Sequence, residues 1–251
     1  MLVRTSFIIT LTCLLFLSNG CERSTPQKAA AAPSKPSAPA APSLPLDDGE
    51  LIRFTFEGSA DGMVAGHLPI TAPESGVEFI DGVIGKAIRF DGSGAEIQVE
   101  QAGTLPIVDQ LTLEFWVRYD GDNPVRKSAT YTCAAHSSAF NIGVTPHRGA
   151  MSAKLTTAEG KVKLQGAEGE IQIGKWSHVA LVYDGSRARI YINGEVTAAT
   201  RASGPIEMKP RLAFGVGTWF KTNQALFGAI DELHLWNRAL SEEEISQHAT
   251  R

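Results

Sequence analysis

Two pairs of carboxylates and one cysteine–histidine pair are the groups whose spacing invites a catalytic reading. Asp231 and Glu232 are adjacent in GAIDELHLW, and Glu168 and Glu170 stand two apart in AEGEIQI. Paired carboxylates cleave a glycosidic bond when they flank it at about 5–9 Å, one donating a proton and the other attacking or activating water. Asp231 and Glu232 fail this as strand neighbours, because successive side chains point to opposite faces. Glu168 and Glu170 share a phase, but no third carboxylate accompanies them. Cys133 precedes His136 by three residues in TYTCAAHSS. A nucleophilic thiol needs a base that a third group holds in place, and the competing reading is a partly buried free cysteine. No Gly-x-Ser-x-Gly motif occurs, and His147 in TPHRG sits in a turn with no identifiable partner.

Binding chemistry is better represented. Trp219 and Phe220 lie in GVGTWFKTNQALFG, a polar loop flanked by glycines. Two large rings are costly to expose without a use, and sugars stack on such rings. The alternative is that one or both tuck under the loop. Asp231 shares strand phase with Leu233 and Leu235, which points it toward the core. A buried carboxylate must be hydrogen-bonded, neutralised or on a metal.

The elements that would position these groups read as β-structure. GKWSHVALVYDGSRARIYINGE gathers a tryptophan, a histidine, an aspartate, two tyrosines and three cations, yet its pattern is that of strands. Trp176, His178, Ala180 and Val182 fall on one face, and Ser177, Val179, Leu181 and Tyr183 on the other. After the DGSR turn, Ala188, Ile190 and Ile192 alternate with Arg189 and Tyr191. Asn193-Gly194 is a strong signal for a two-residue hairpin turn, since both residues tolerate positive φ. A three-stranded meander is therefore expected. Similar short alternations occur in IRFTF, AIRF, AEIQV, LTLEFWV, RLAFGVG and GAIDELHLW, separated by Gly, Asp and Asn turns, which argues an all-β sandwich. Near the end, Ser241 and Glu244 form a capping-box pair, and Leu240 and Ile245 stand at hydrophobic-staple positions, so one short helix closes the chain.

The chain has 251 residues, a net charge of −4 and no basic run. Nucleic acid is an unsuitable partner for that charge pattern. The three cysteines, Cys13, Cys21 and Cys133, have no zinc-like or disulfide-ladder spacing. Arg4 followed by SFIITLTCLLFL reads as an export signal over 1–20. Cys21 after it resembles the acceptor of a bacterial lipobox, although Leu17 is one place early and Ser18 and Gly20 also suit ordinary signal cleavage. Residues 21–50 are rich in Ala, Pro and Ser with little to bury, the composition of an extended tether. An exported domain, lipid-anchored at Cys21 in the cell envelope, is expected over 51–251. Glu22 leaves inner and outer membrane open.

FTFEG, GVIGKAIRFDGSG, LTLEFWVR, GKWSHVALVYDG, IYINGE and FGAIDELHLWNRALSEEEI occur in this order. Together they resemble the laminin-G-like, concanavalin A-like jelly-roll family over essentially all of 51–251. The resemblance implies a two-sheet antiparallel jelly-roll sandwich, with a usual role in binding glycans or proteins. It also implies a structural calcium ion near Glu57 and Asp231, the positions after the first F-x-F and within the final I-D-E. Backbone carbonyls of EGSADG would complete such a shell, and the alternative for Asp231 is satisfaction by backbone N–H groups or Arg238. Hydrolases of this fold carry their carboxylates on one strand in a spacing such as Glu-x-Asp-x-x-Glu, and this sequence has no such run. The resulting expectation is a tethered, non-catalytic binding module for carbohydrate, with Trp219 and Phe220 at the ligand. A protein-interaction or adhesion module stands second and a glycoside hydrolase a distant third.

Overall fold

The computed structural model describes residues 45–136, 138–218 and 223–250. Cys21, Trp219 and Phe220 lie outside them. Sixteen strands occur among the described residues. The first six are β1 (Glu50–Phe54), β2 (Met63–Val64), β3 (Ile70–Thr71), β4 (Val77–Asp81), β5 (Lys86–Asp91) and β6 (Ile97–Val99). Then come β7 (Leu111–Tyr119), β8 (Tyr131–His136), β9 (Phe140–Thr145), β10 (Ala150–Thr157) and β11 (Gly160–Gln165). The last five are β12 (Trp176–Tyr183), β13 (Arg187–Ile192), β14 (Glu195–Arg201), β15 (Phe214–Val216) and β16 (Phe227–Trp236), before helix α1 (Glu242–His248).

The strands form two antiparallel sheets. One runs β14-β13-β12-β7-β16-β1-β2, with β5 also pairing with β16 and β4 outside β5. The other runs β11-β10-β9-β8-β15-β6-β3. The period-two patterns explain the layering. Leu111, Leu113, Phe115 and Val117 of β7 join Val179, Leu181 and Tyr183 of β12 in the core between the sheets. Phe140, Ile142 and Val144 of β9 and Met151, Ala153 and Leu155 of β10 meet them from the other side. This is the all-β sandwich that the sequence leads one to expect.

The meander is β12, β13 and β14, with a bulge between Ile190 and Tyr191 where β13 meets β14 and Asn193 (φ 51°) and Gly194 (φ 86°) at the turn. The side chains of Ala180, Val182 and Tyr191, on the outer face of the nine-stranded sheet, pack with Trp236, Leu240 and Ile245. Helix α1 covers them. Its capping box is formed: Ser241 Oγ accepts from Glu244 N at 3.2 Å, and Ser241 N donates to Glu244 Oε2 at 2.8 Å.

Three readings of the sequence are corrected. Asp231 does not follow the phase of Leu233 and Leu235. The register slips between Asp231 and His234, with Glu232 at φ 45°, and Asp231 comes opposite Trp116. Residues opposite in register share a face, so Asp231 joins Trp116 on the outer side, where it is nonetheless fully buried. Glu168 and Glu170 lie in the irregular segment between β11 and β12, so their expected strand phase is not realised. Glu168 pairs with Arg148 at 3.2 Å, and Glu170 accepts a hydrogen bond from Thr197. His147 does have a partner, since its Nδ1 lies 3.0 Å from Asp122 Oδ2.

Candidate functional site

The outer face of the seven-stranded sheet carries a cleft of about 470 Å³. Register builds it. Asn141 of β9 lies opposite Lys154 of β10, and Lys154 opposite Lys163 of β11. One pair further along, Thr156 lies opposite Lys161. The wall facing them is the segment around Glu207 and Lys209. That segment is pinned to the sheet edge, with Glu207 N donating to Thr156 O at 3.1 Å and Ser138 Oγ to the Glu207 carbonyl at 3.2 Å. Ser138, Asn141 and Thr156 give the cleft hydroxyl and amide groups, while Phe140 and Val162, both opposite Leu155 in register, turn toward the core and reach the lining from beneath. Such a lining suits a polyhydroxylated ligand: the aliphatic stems of the lysines offer apolar area, and a few placed polar groups set orientation.

His136 also lines the cleft. Burial, opposed only in part by the Leu212 backbone, pushes its pKa down to about 4, so the ring is neutral at pH 7. Positive charge in the cleft therefore comes from lysine alone. Cys133, three residues earlier, is a free and buried thiol. Burial drives its pKa up to about 12, which holds it as an unreactive thiol rather than a nucleophile. Among the described residues Glu207 is the one carboxylate lining the cleft, where hydrolysis of a glycosidic bond needs two.

Glu57 and Asp231 are brought to the same loop, the turn between β4 and β5. Asp231 Oδ2 accepts from Val83 N at 2.8 Å and Ile84 N at 3.1 Å, and Oδ1 accepts from Glu232 N at 2.9 Å. Glu57 accepts from Lys86 N through both oxygens, at 3.3 and 3.2 Å. A side chain at Gly82 would collide with Asp231, and one at Gly85 with Glu57, so both glycines are required for the loop to sit between the carboxylates. Burial, offset in part by the Ile84 and Val83 amides, pushes Asp231 up to about 6. The donors turned toward Asp231 are N–H groups, the means by which a buried anion is satisfied without a cation. A calcium ion would draw on Glu57 and on the lone pairs Asp231 has left. Among the described residues no group of three or more His, Cys, Asp and Glu side chains is placed to hold a metal.

A second polar cluster lies on the outer face of the nine-stranded sheet. Glu114 Oε1 accepts from Trp236 Nε1 at 3.3 Å and lies 2.8 Å from His248 Nδ1 of α1, while Oε2 lies 3.6 Å from His178 Nε2. Burial alone would raise Glu114; the nearby His178 ring and the hydrogen bond with His248 outweigh it and hold its pKa at about 2. Beside it, Glu50 accepts from His234 at 2.6 Å and is also bound by Arg53. Burial would lower His234, but Glu232 and Glu50 raise it to about 9. These groups anchor α1 and β1 to the sheet. Trp116, T-shaped against His178 at 5.4 Å, and Trp176, with Arg118 over its ring at 5.7 Å, belong to the same packed face.

The lysine cleft carries no signal in any single stretch of the sequence. Lys154, Lys161 and Lys163 become neighbours only once the β10–β11 hairpin is in register, and Asn141 only once β9 is added. The hairpin signal was present in TAEG between two alternating runs. Pairing Lys154 with Lys163 across that turn would have found the patch.

Known proteins share this architecture. C-reactive protein 1.4 of Limulus polyphemus is 25% identical over 182 residues, 66% of this chain and 72% of that one. The botulinum neurotoxin serotype G binding domain superposes with a TM-score of 0.64 at 16% identity, covering 80% of this chain and 50% of that one. This chain thus spans about half of that domain. Domain 4 of AbnA, an extracellular arabinanase of Geobacillus stearothermophilus, solved with arabinotriose, superposes with a TM-score of 0.57 at 19% identity. It is covered over 99% of its length by 80% of this chain. At these identities the two structural likenesses are likenesses of fold. The model described as the concanavalin A-like lectin/glucanases superfamily matches residues 91–246, from the end of β5 into α1, and so takes in strands of both sheets. On that match the chain belongs to the concanavalin A-like lectin/glucanase superfamily.

Proposed function

We propose that this domain is a non-catalytic, carbohydrate-binding module whose ligand lies in the cleft over β9, β10 and β11. The observation that carries the reading is the lining of that cleft, with hydroxyl, amide and ammonium groups and, among the described residues, a single carboxylate. The arabinanase domain with bound arabinotriose supports it by showing that a domain of this fold holds a sugar chain. Trp219 and Phe220, which follow β15, are the rings proposed to stack on the ligand. The test is the full chain against a panel of immobilised polysaccharides, alongside Asn141→Ala. Retention on at least one polysaccharide, weakened by the substitution, is the expected result. No retention on any would remove carbohydrate and move the protein-interaction reading to first place. Release of reducing ends would restore a hydrolase.

In the same reading, residue 21 carries lipid and the Ala/Pro/Ser segment holds the module off a membrane. Mass spectrometry of the mature N-terminus is expected to show a diacylated or triacylated Cys21, and an unmodified N-terminus there would overturn it. Calcium at Glu57 and Asp231 is the proposed structural ion. Its support is that both carboxylates grip one loop and that burial disfavours the charge on Asp231.

A further inference from the structure

Lys154 and Lys163 face each other directly across β10 and β11, on the solvent side of the sheet. Like charges directly opposite on one face repel. Lys161 shares that face, two residues from Lys163 and so about 6.6 Å along the strand. Lys209 closes in from the opposite wall, and among the described residues Glu207 is the lone counter-charge in the lining. All four lysines are exposed. Among the described residues, Lys161, Lys163 and Lys209 form no ion pair. The chain as a whole is net negative, at −4, so this concentration of positive charge runs against the sign of the molecule. The neutral ring of His136 beneath it leaves the lysines as the sole cations.

From this geometry we infer that the cleft selects an acidic polysaccharide, a sugar chain bearing carboxylate or sulfate groups, with Lys154, Lys161 and Lys163 as its anion contacts. The inference rests on the carbohydrate reading of the same cleft and narrows it to a class. Lys161 and Lys163 present point charges about 6.6 Å apart along one strand, and Lys154 stands opposite Lys163 on the next. Ser138, Asn141 and Thr156 are placed to meet uncharged hydroxyls between them. An anion bound among these lysines is attracted by more than one ammonium group at once. A monovalent anion would meet Lys161 or Lys163, whereas a chain with regularly spaced anions meets both and reaches Lys154 as well.

The test uses matched pairs, so that charge is the variable: methyl-esterified against free polygalacturonate for the carboxylate arm, and dextran against dextran sulfate for the sulfate arm. The full chain is expected to bind at least one charged member about tenfold or more tightly than its neutral partner. That margin should shrink as NaCl rises from about 0.05 to about 0.5 M, because exposed charges are screened. The double variant Lys161→Gln/Lys163→Gln is expected to lose about tenfold or more toward the charged member. Its melting temperature should be equal to or above the parent's, since a like-charge contact is removed. Lys175→Gln, on an exposed lysine outside the cleft lining, should bind as the parent does. Equal binding of charged and neutral partners would overturn the acidic selection and leave the carbohydrate reading standing. Failure to bind any of the four would overturn the acidic selection, and the polysaccharide panel then decides the carbohydrate reading separately. Binding of polyglutamate as tight as that of the charged polysaccharide would overturn the selection in favour of indiscriminate polyanion capture.

Discussion

Asp231 shows at the scale of one residue both what could be read from sequence and what could not. Its burial was legible, because it sits among apolar residues in a strand. Its direction was not, because Glu232 adopts φ 45° and inserts an extra residue into the ladder with β7. A bulge is readable when glycine marks it, and glutamate gives no such mark. The lysines of the cleft are legible only through the β10–β11 hairpin, since each is an ordinary surface residue until those two strands are aligned. Trp219 and Phe220 lie outside the described residues, so their expected role stands as proposed. The prediction at this scale concerns calcium. If an ion joins Glu57 to Asp231, the parent melts higher in calcium than in excess chelator, by about 2.7 kcal/mol of added stability at a hundredfold excess over the dissociation constant. Asp231→Asn should abolish that difference. Equal midpoints in all four samples would assign Asp231 wholly to the amides of Val83, Ile84 and Glu232.

At the scale of elements, β12 to β14 and α1 were almost fully legible. Two alternating runs and an Asn-Gly turn specify a hairpin by themselves, and a capping box with its staple specifies a helix start. What local pattern could not specify is order within the sheets, because β7 pairs with β12 and β16 across long stretches of sequence. The strand β12 is apolar on both faces for the reason found in the fold: the core lies on one side, and α1 covers part of the other. Val179 is fully buried on the core side. Val179→Asp places an unpaired charge there and should cost several kcal/mol. Thermal melting is the measure, and a midpoint within a degree or two of the parent would show the strand to be far more yielding than its packing.

The molecule as a whole carries its pH dependence in the polar cluster of the nine-stranded sheet. Glu114 is depressed from 4.5 to about 2, so its contribution to stability is complete above about pH 4.5 and is lost as pH falls toward 2. His234 is raised from 6.5 to about 9, so its contribution is complete below about pH 6.5 and is lost as pH rises through 9. Asp231 is raised from 3.8 to about 6, and its ionisation costs stability increasingly as pH rises through that range. Glu114 and His234 together place greatest stability on the mildly acidic side of neutral, between about pH 4.5 and 6.5, and Asp231 tilts that window toward its acidic end. Scanning calorimetry from pH 3 to 10 is expected to show a midpoint that falls on both sides of that window. A flat profile through it and beyond would mean that these groups are as ionised in the unfolded chain as in the folded one.

The pairing of β16 with β1 and β7 has a consequence in time rather than in energy. Strand β16 stands in the middle of its sheet, between β7 and β1, yet it is the last strand to be synthesised. Until it emerges, β1 lacks the neighbour that binds Ile52, Arg53 and Phe54 in register, and β7 lacks one of its two. No nascent chain short of Trp236 can complete the sandwich. Contacts between residues so far apart also make folding slow, on the millisecond-to-second scale of non-local β-topologies. A chain exported through a narrow pore, as proposed here, must stay unfolded while it is threaded. This strand order provides that delay from within the domain, by withholding the central strand until the end.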